Sequence, residues 1–140
     1  MRTTILCAAV VTLGLVVSGA TVSAHHAFSS EFDANRHVVF TGTVSKMMWV
    51  NPHAWIYVDV KKADGTTEEW MVEAGTPNTL LRRGFTKASL QPGTIIKVDG
   101  YQSKDGSLRA NGRDLTLPDG RTLFLGNAEG GGTQEGTPPK

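Results

Sequence analysis

Histidine is the residue type in this chain best suited to chemistry, and it is unevenly placed. All four histidines fall in one stretch: His25, His26, His37 and His53. Peptidase cleavage after Ala24 would make His25 the first residue. Its free α-amine and its imidazole could then chelate one metal ion, and His26 adds a second imidazole across a deprotonable amide. Amine and imidazole nitrogens suit copper(II) in tetragonal geometry, and zinc less specifically. His53 sits in a break between two strand-like runs and could complete the site if the N-terminal segment folds back. Glu31 or Asp33 would then serve as an oxygen ligand or as the partner that fixes an imidazole. The plainer reading is a solvated histidine pair, with His53 bonding a loop carbonyl and packing on Trp49 or Trp55. The spacing does not fit a closed Cys2His2 zinc site.

Aromatic side chains are the second feature. Trp55 and Tyr57 share one strand face by the period of two and could stack on a planar ligand or a sugar. With Trp49 and Asn51 they form a candidate ligand-binding set, and Asn78, Arg82 and Arg83 could rim a pocket. The plainer reading is that the aromatic rings fill the core. Catalytic constellations are poor. The serines lack a nucleophile-elbow context, and Gly130-Gly131-Gly132 has no helix after it to make a phosphate loop. Glu69 and Glu73 fall on one side of a strand, as a solvated face would place them. The chain therefore reads as a binding protein and not an enzyme, with a metal-dependent enzyme as the remaining catalytic option. The formal net charge is +1. The pairs Lys61-Lys62 and Arg82-Arg83 make no basic patch for nucleic acid.

The elements that must position these residues begin after an export signal. Met1-Arg2 gives a positive start, Ile5 to Val17 is an apolar run, and Val22-Ser23-Ala24 supplies small residues before a cut. The run is about 13 residues, short of the ~20 that cross a bilayer, so no stable membrane anchor is expected. Residues 1–24 thus read as a cleavable signal peptide. A cut after Ala20, where Ser18-Gly19-Ala20 also fits, would leave the metal reading with ordinary imidazoles only. Removal of the signal takes away Cys7, the one cysteine, and with it any thiolate site or disulfide. It leaves about 116 residues, the size of one domain. Residues 127–140 are poor in apolar side chains and predict a disordered tail. A single domain over 25–126 remains, with its ordered part from about residue 30.

Val38 to Val50 predicts a long strand that Gly42 bulges or bends. Asn51-Pro52-His53 breaks it. Ala54 to Val60 predicts a second strand, with Ile56 and Val58 opposite Trp55 and Tyr57. Asp64-Gly65 is a hairpin turn, and Thr67 to Glu73 returns with Trp70 and Val72 on one face. Thr76 as N-cap, Pro77 at the first helical position and Gly84 as C-cap frame a short helix. A second helical turn fits Thr86 to Leu90. Thr94 to Gln102, Leu108 to Leu117 and Arg121 to Leu125 are the remaining strands. This β-β-β-α-β-β order predicts an all-β fold with one short helix: a small OB-fold-like Greek-key barrel. On such a barrel strands 2 and 3 and the adjoining loops form the usual ligand surface.

Several motifs together resemble the domain-of-unknown-function family 6152 of small exported bacterial proteins. They are His25-His26-Ala27-Phe28, Gly42-Thr43-Val44, Trp49-Val50-Asn51-Pro52-His53-Ala54-Trp55-Ile56, Pro77-Asn78 with Leu81-Arg82-Arg83-Gly84, Leu90 with Pro92-Gly93, and Asn111-Gly112-Arg113 with Leu117-Pro118-Asp119-Gly120. The resemblance spans nearly the whole chain between signal and tail. It implies export, with the periplasm as destination, and a single domain. It implies no activity and no catalytic residues. Two functions of different class follow. One is a periplasmic protein that binds a metal ion such as copper through His25, His26 and His53. The other is a metal-free OB-type module that binds a small ligand or docks on a larger periplasmic partner through Trp49, Asn51, Trp55 and Tyr57.

Overall fold

Alternation of apolar and polar residues sets which way each strand faces. In the computed structural model, which describes residues 25–126, Ile56 and Val58 are buried while Trp55, Tyr57 and Asp59 between them are only partly covered. The expected signal peptide over 1–24 and the expected disordered tail over 127–140 lie outside the described residues. The chain opens with helix α1 (His25–Glu31) and runs straight into β1 (Phe32–Met48). Then come β2 (Trp55–Lys61), β3 (Thr67–Glu73), helix α2 (Pro77–Arg82) and a 3₁₀ turn (Lys87–Ser89). Strands β4 (Ile95–Ser103), β5 (Arg109–Thr116) and β6 (Thr122–Phe124) complete it.

The pairings close a ring. β1 lies antiparallel to both β2 and β4, β2 to β3, and β4 to β5. A short parallel pairing of β3 with β5 joins the two ends, and β6 extends the sheet beyond β5. This is the β-rich, ring-like sheet that the strand order predicts. One strand can serve two neighbours because β1 is long: Phe32 to Thr43 faces β4, and Thr43 to Met48 faces β2. The change of neighbour needs a sharp bend, which Gly42 permits. A Cβ there would stand 2.6 Å from both the Asp59 carbonyl oxygen and Val58 Cγ1. The register also slips between Val44 and Lys46.

The interior holds Val44, Ile56, Val58, Val72, Ile96, Val98 and Leu115 from the strands. Leu80 of α2, Phe85 and Leu90 join the same core from the β3–β4 connection. Burying each such side chain stabilises the fold by about 1.5–3 kcal/mol. The Thr76 hydroxyl caps α2 by accepting from the Thr79 N–H at 3.1 Å, as its position predicts, and Pro77 sits in the first turn.

The start of β1 and the helix before it differ from expectation. β1 starts at Phe32, not Val38, because Phe32 is 2% exposed and pairs with Ser103. The intervening Asp33-Ala34-Asn35-Arg36 reads as loop but spans a register irregularity between Phe32 and His37. Helix α1, in a segment with no helical periodicity of its own, is held by tertiary contacts. Phe28 packs on Phe32 and Tyr101 with ring centroids 5.9 and 5.8 Å apart. Lys104 Nζ donates to the Ser29 carbonyl at 2.6 Å, and the Lys104 N–H to that of Glu31 at 2.9 Å.

Candidate functional site

The β1–β2 loop brings His53 to one end of the ring. The Asn51–Pro52 peptide is cis. Just after it, Ala54 is tied to the chain beyond β3 in both directions: its N–H donates to the Gly75 carbonyl and its own carbonyl accepts from the Ala74 N–H. These bonds fix His53, whose Nδ1 pairs with Glu73 Oε1. Glu73 ends β3, where it faces Trp55 of β2 on one side and Asn111 of β5 on the other. It is 6% exposed and is the one acidic residue among the buried side chains described.

A buried carboxylate is costly unless it is paired. Burial pushes the Glu73 carboxyl above its ordinary range; the neighbouring His53 opposes this, the Glu31 carboxylate adds to it, and Arg109 opposes it. The imidazole and carboxyl form a hydrogen-bonded pair. With Nδ1 so engaged, the ring is held in one orientation.

Arg109, which opens β5, is the hub of the surrounding charges. Its Nη2 donates to Glu31 Oε2 at 2.9 Å. Its guanidinium lies over the rings of Trp55 and Phe32, with centroids 5.4 and 6.0 Å away. Since Glu31 is the last residue of α1, Arg109 fastens that helix to the end of the barrel that carries His53 and Glu73.

The candidate residues separate as follows. His25 and His26 begin α1, the helix fastened at this end, and their side chains lie outside the described ones. Glu31 stands beside Glu73, while Asp33 turns to Arg36 at 3.7 Å and to the Asn35 N–H. His37 pairs with Asp99 at 3.0 Å on the outer β1–β4 surface. Among the described residues, no three of His, Cys, Asp and Glu stand close enough to hold a metal ion.

Trp55 and Tyr57 do share the outer face of β2, but each ring already has a cation over it. Lys46 Nζ is 4.1 Å from the Tyr57 centroid, and the Tyr57 hydroxyl bonds Met48 Sδ at 3.4 Å. Trp49 packs against the core instead, stacked on Phe85 at 6.1 Å between centroids. Asn51 is exposed in the loop. The four therefore do not form one face. Arg83 is occupied with the carbonyls of Phe124 and Gly126.

Sequence reasoning missed Glu73 and Arg109. The solvated-face reading holds for Glu69, which is exposed, and fails for Glu73. The parallel β3–β5 pairing covers the last residues of β3 and not its start.

Compared with known proteins, residues 12–112 match the model of a family described as "Family of unknown function (DUF6152)". No curated protein matches the chain.

Proposed function

Because the chain belongs to the family of unknown function DUF6152, whose description carries no activity, we propose from the site itself that this is an exported periplasmic protein that binds a transition-metal ion, copper(II) first. The observation that supports this reading is the buried Glu73 carboxylate on His53 Nδ1, at the barrel end to which Arg109 fastens α1. A carboxylate behind an imidazole is the usual support of a histidine metal ligand. His53 alone is too little for a metal. The α-amine and imidazole of His25 and the imidazole of His26, freed by cleavage after Ala24, are the groups that would complete the set.

The role is binding, with Glu73 orienting a ligand and not touching the metal. The metal-free alternative, in which the aromatic face docks a partner, needs Arg109 and Lys46 to leave the rings they cover.

The test uses protein exported with its own leader, its N-terminus read by intact mass. Calorimetry and electron paramagnetic resonance with copper(II) alone should give one ion per chain in a tetragonal nitrogen environment. Glu73→Gln should weaken binding by about 10–100-fold, the usual effect of losing a ligand's support, and His53→Ala should weaken it at least as much. A Gly-Ser extension before His25 should weaken it further. Equal affinity in authentic and extended protein would overturn the terminal-amine site, and unchanged affinity in His53→Ala would overturn the role of the barrel end.

A further inference from the structure

A second site lies elsewhere on the barrel, where β1 parts from β4. Strand pairing between the two ends at Thr43 and Ile95. The last tie is the exchange of hydrogen bonds by Val44 with Thr94 and Gly93. Beyond Val44, β1 keeps β2 as its neighbour and turns its other edge toward the segment that includes the 3₁₀ turn. A cleft of about 350 Å³ opens between them, lined by Lys46, Met47, Trp49, Lys87, Leu90 and Pro92 together with two uncharged polar residues. That volume is within the range of small-molecule sites.

The lining is chemically one-sided. Its apolar part is anchored: Trp49 is stacked nearly parallel on the buried Phe85 ring, and Leu90 is 2% exposed. Its charged residues are two lysines and no acid. Among the described residues, neither Lys46 nor Lys87 has a carboxylate partner within salt-bridge distance. Glu69 accepts from the Ser45 hydroxyl at 3.3 Å, which makes the Lys87 side the cationic end. The 3₁₀ turn is held in place by a capping box between Thr86 and Ser89, so Lys87 is presented from fixed backbone.

We propose that this cleft binds a small organic anion with a flat apolar body, the body against Met47, Trp49 and Leu90 and the acid group at Lys87, since the Lys46 ammonium already lies over the Tyr57 ring. A cation beside a desolvated apolar wall favours an anion over its neutral counterpart, since a hydrogen bond to a charged group contributes more than a neutral one. The site is separate from the His53–Glu73 end and does not depend on any metal.

The probe is sodium 2-naphthoate, with 2-naphthalenemethanol as its neutral counterpart, titrated into the exported chain and followed by amide chemical shifts. Naphthoate should shift the amides of residues 45–49 and 87–91. The alcohol should bind about tenfold more weakly, and Lys87→Gln should lower naphthoate affinity by a similar factor. Lys87 is exposed, so its replacement leaves the fold intact, and His53→Ala should leave naphthoate affinity unchanged. Equal binding of acid and alcohol, shifts centred elsewhere, unchanged affinity in Lys87→Gln, or no shifts at millimolar naphthoate would each overturn the proposal.

Discussion

Ser103 shows how much one buried hydroxyl can organise. It is 2% exposed, donates to Asp105 Oδ1 at 2.6 Å, and the Ser107 N–H donates to the same oxygen at 2.9 Å. These bonds favour the ionised form and hold the Asp105 carboxyl down at about 2. A carboxyl depressed in the folded state adds stability above its unfolded value, and that contribution is lost as pH falls from about 4 to about 2. In Ser103→Ala the Asp105 pKa should rise toward about 4, read by carboxyl-carbon chemical shifts, and thermal stability should fall less steeply between about pH 4 and about pH 2. A Ser103→Ala protein whose Asp105 still titrates near 2 would remove the hydroxyl from this account. At the same scale, His53 is legible in the sequence because a histidine after Asn-Pro between two strands has few other places to go. Glu73 is not legible. Its period-two partner Glu69 is exposed, and the strand that buries Glu73 comes from far along the chain.

At the scale of elements, β1 carries the design. Its 17 residues serve two neighbours, and the bend between them passes through Gly42. A methyl group at Gly42 would press on the Asp59 carbonyl oxygen, which is backbone and cannot swing aside. Gly42→Ala should therefore cost about 1–3 kcal/mol, the usual penalty for overpacking, measured by urea unfolding of the protein. An unchanged midpoint would mean that β1 bends somewhere else. Gly42 is readable in the sequence because it interrupts a β-branched run, and α2 because Thr76 and Pro77 mark its start. The first turns of structure are not readable. Asp33 to Arg36 has loop composition and is carried into β1 by Phe32 at its head, and α1 is held by Phe28, Ser29 and Glu31 through Tyr101, Lys104 and Arg109. Local propensity has no view of such distant partners.

At the scale of the whole molecule, one short run decides whether the sheet is a ring. The parallel match of β3 with β5 comprises Met71 with Arg109, Val72 with Ala110 and Glu73 with Asn111. The first and last of these pairs contain Arg109 and Glu73, the residues around which the candidate metal site is built. The seam of the barrel and its proposed binding end are thus the same few residues, and occupancy there would act as a clasp. Amide hydrogen exchange should then slow in residues 71–73 and 109–111 when copper(II) is added to mature protein. At an ion concentration 100-fold above Kd the slowing should reach about 100-fold where exchange requires the seam to part. Exchange elsewhere that proceeds by fraying should stay as it is, and a uniform response or none would separate the seam from the site. A protein made this way would report its own loading through its resistance to opening, and a protease could tell the empty form from the filled one without touching the metal.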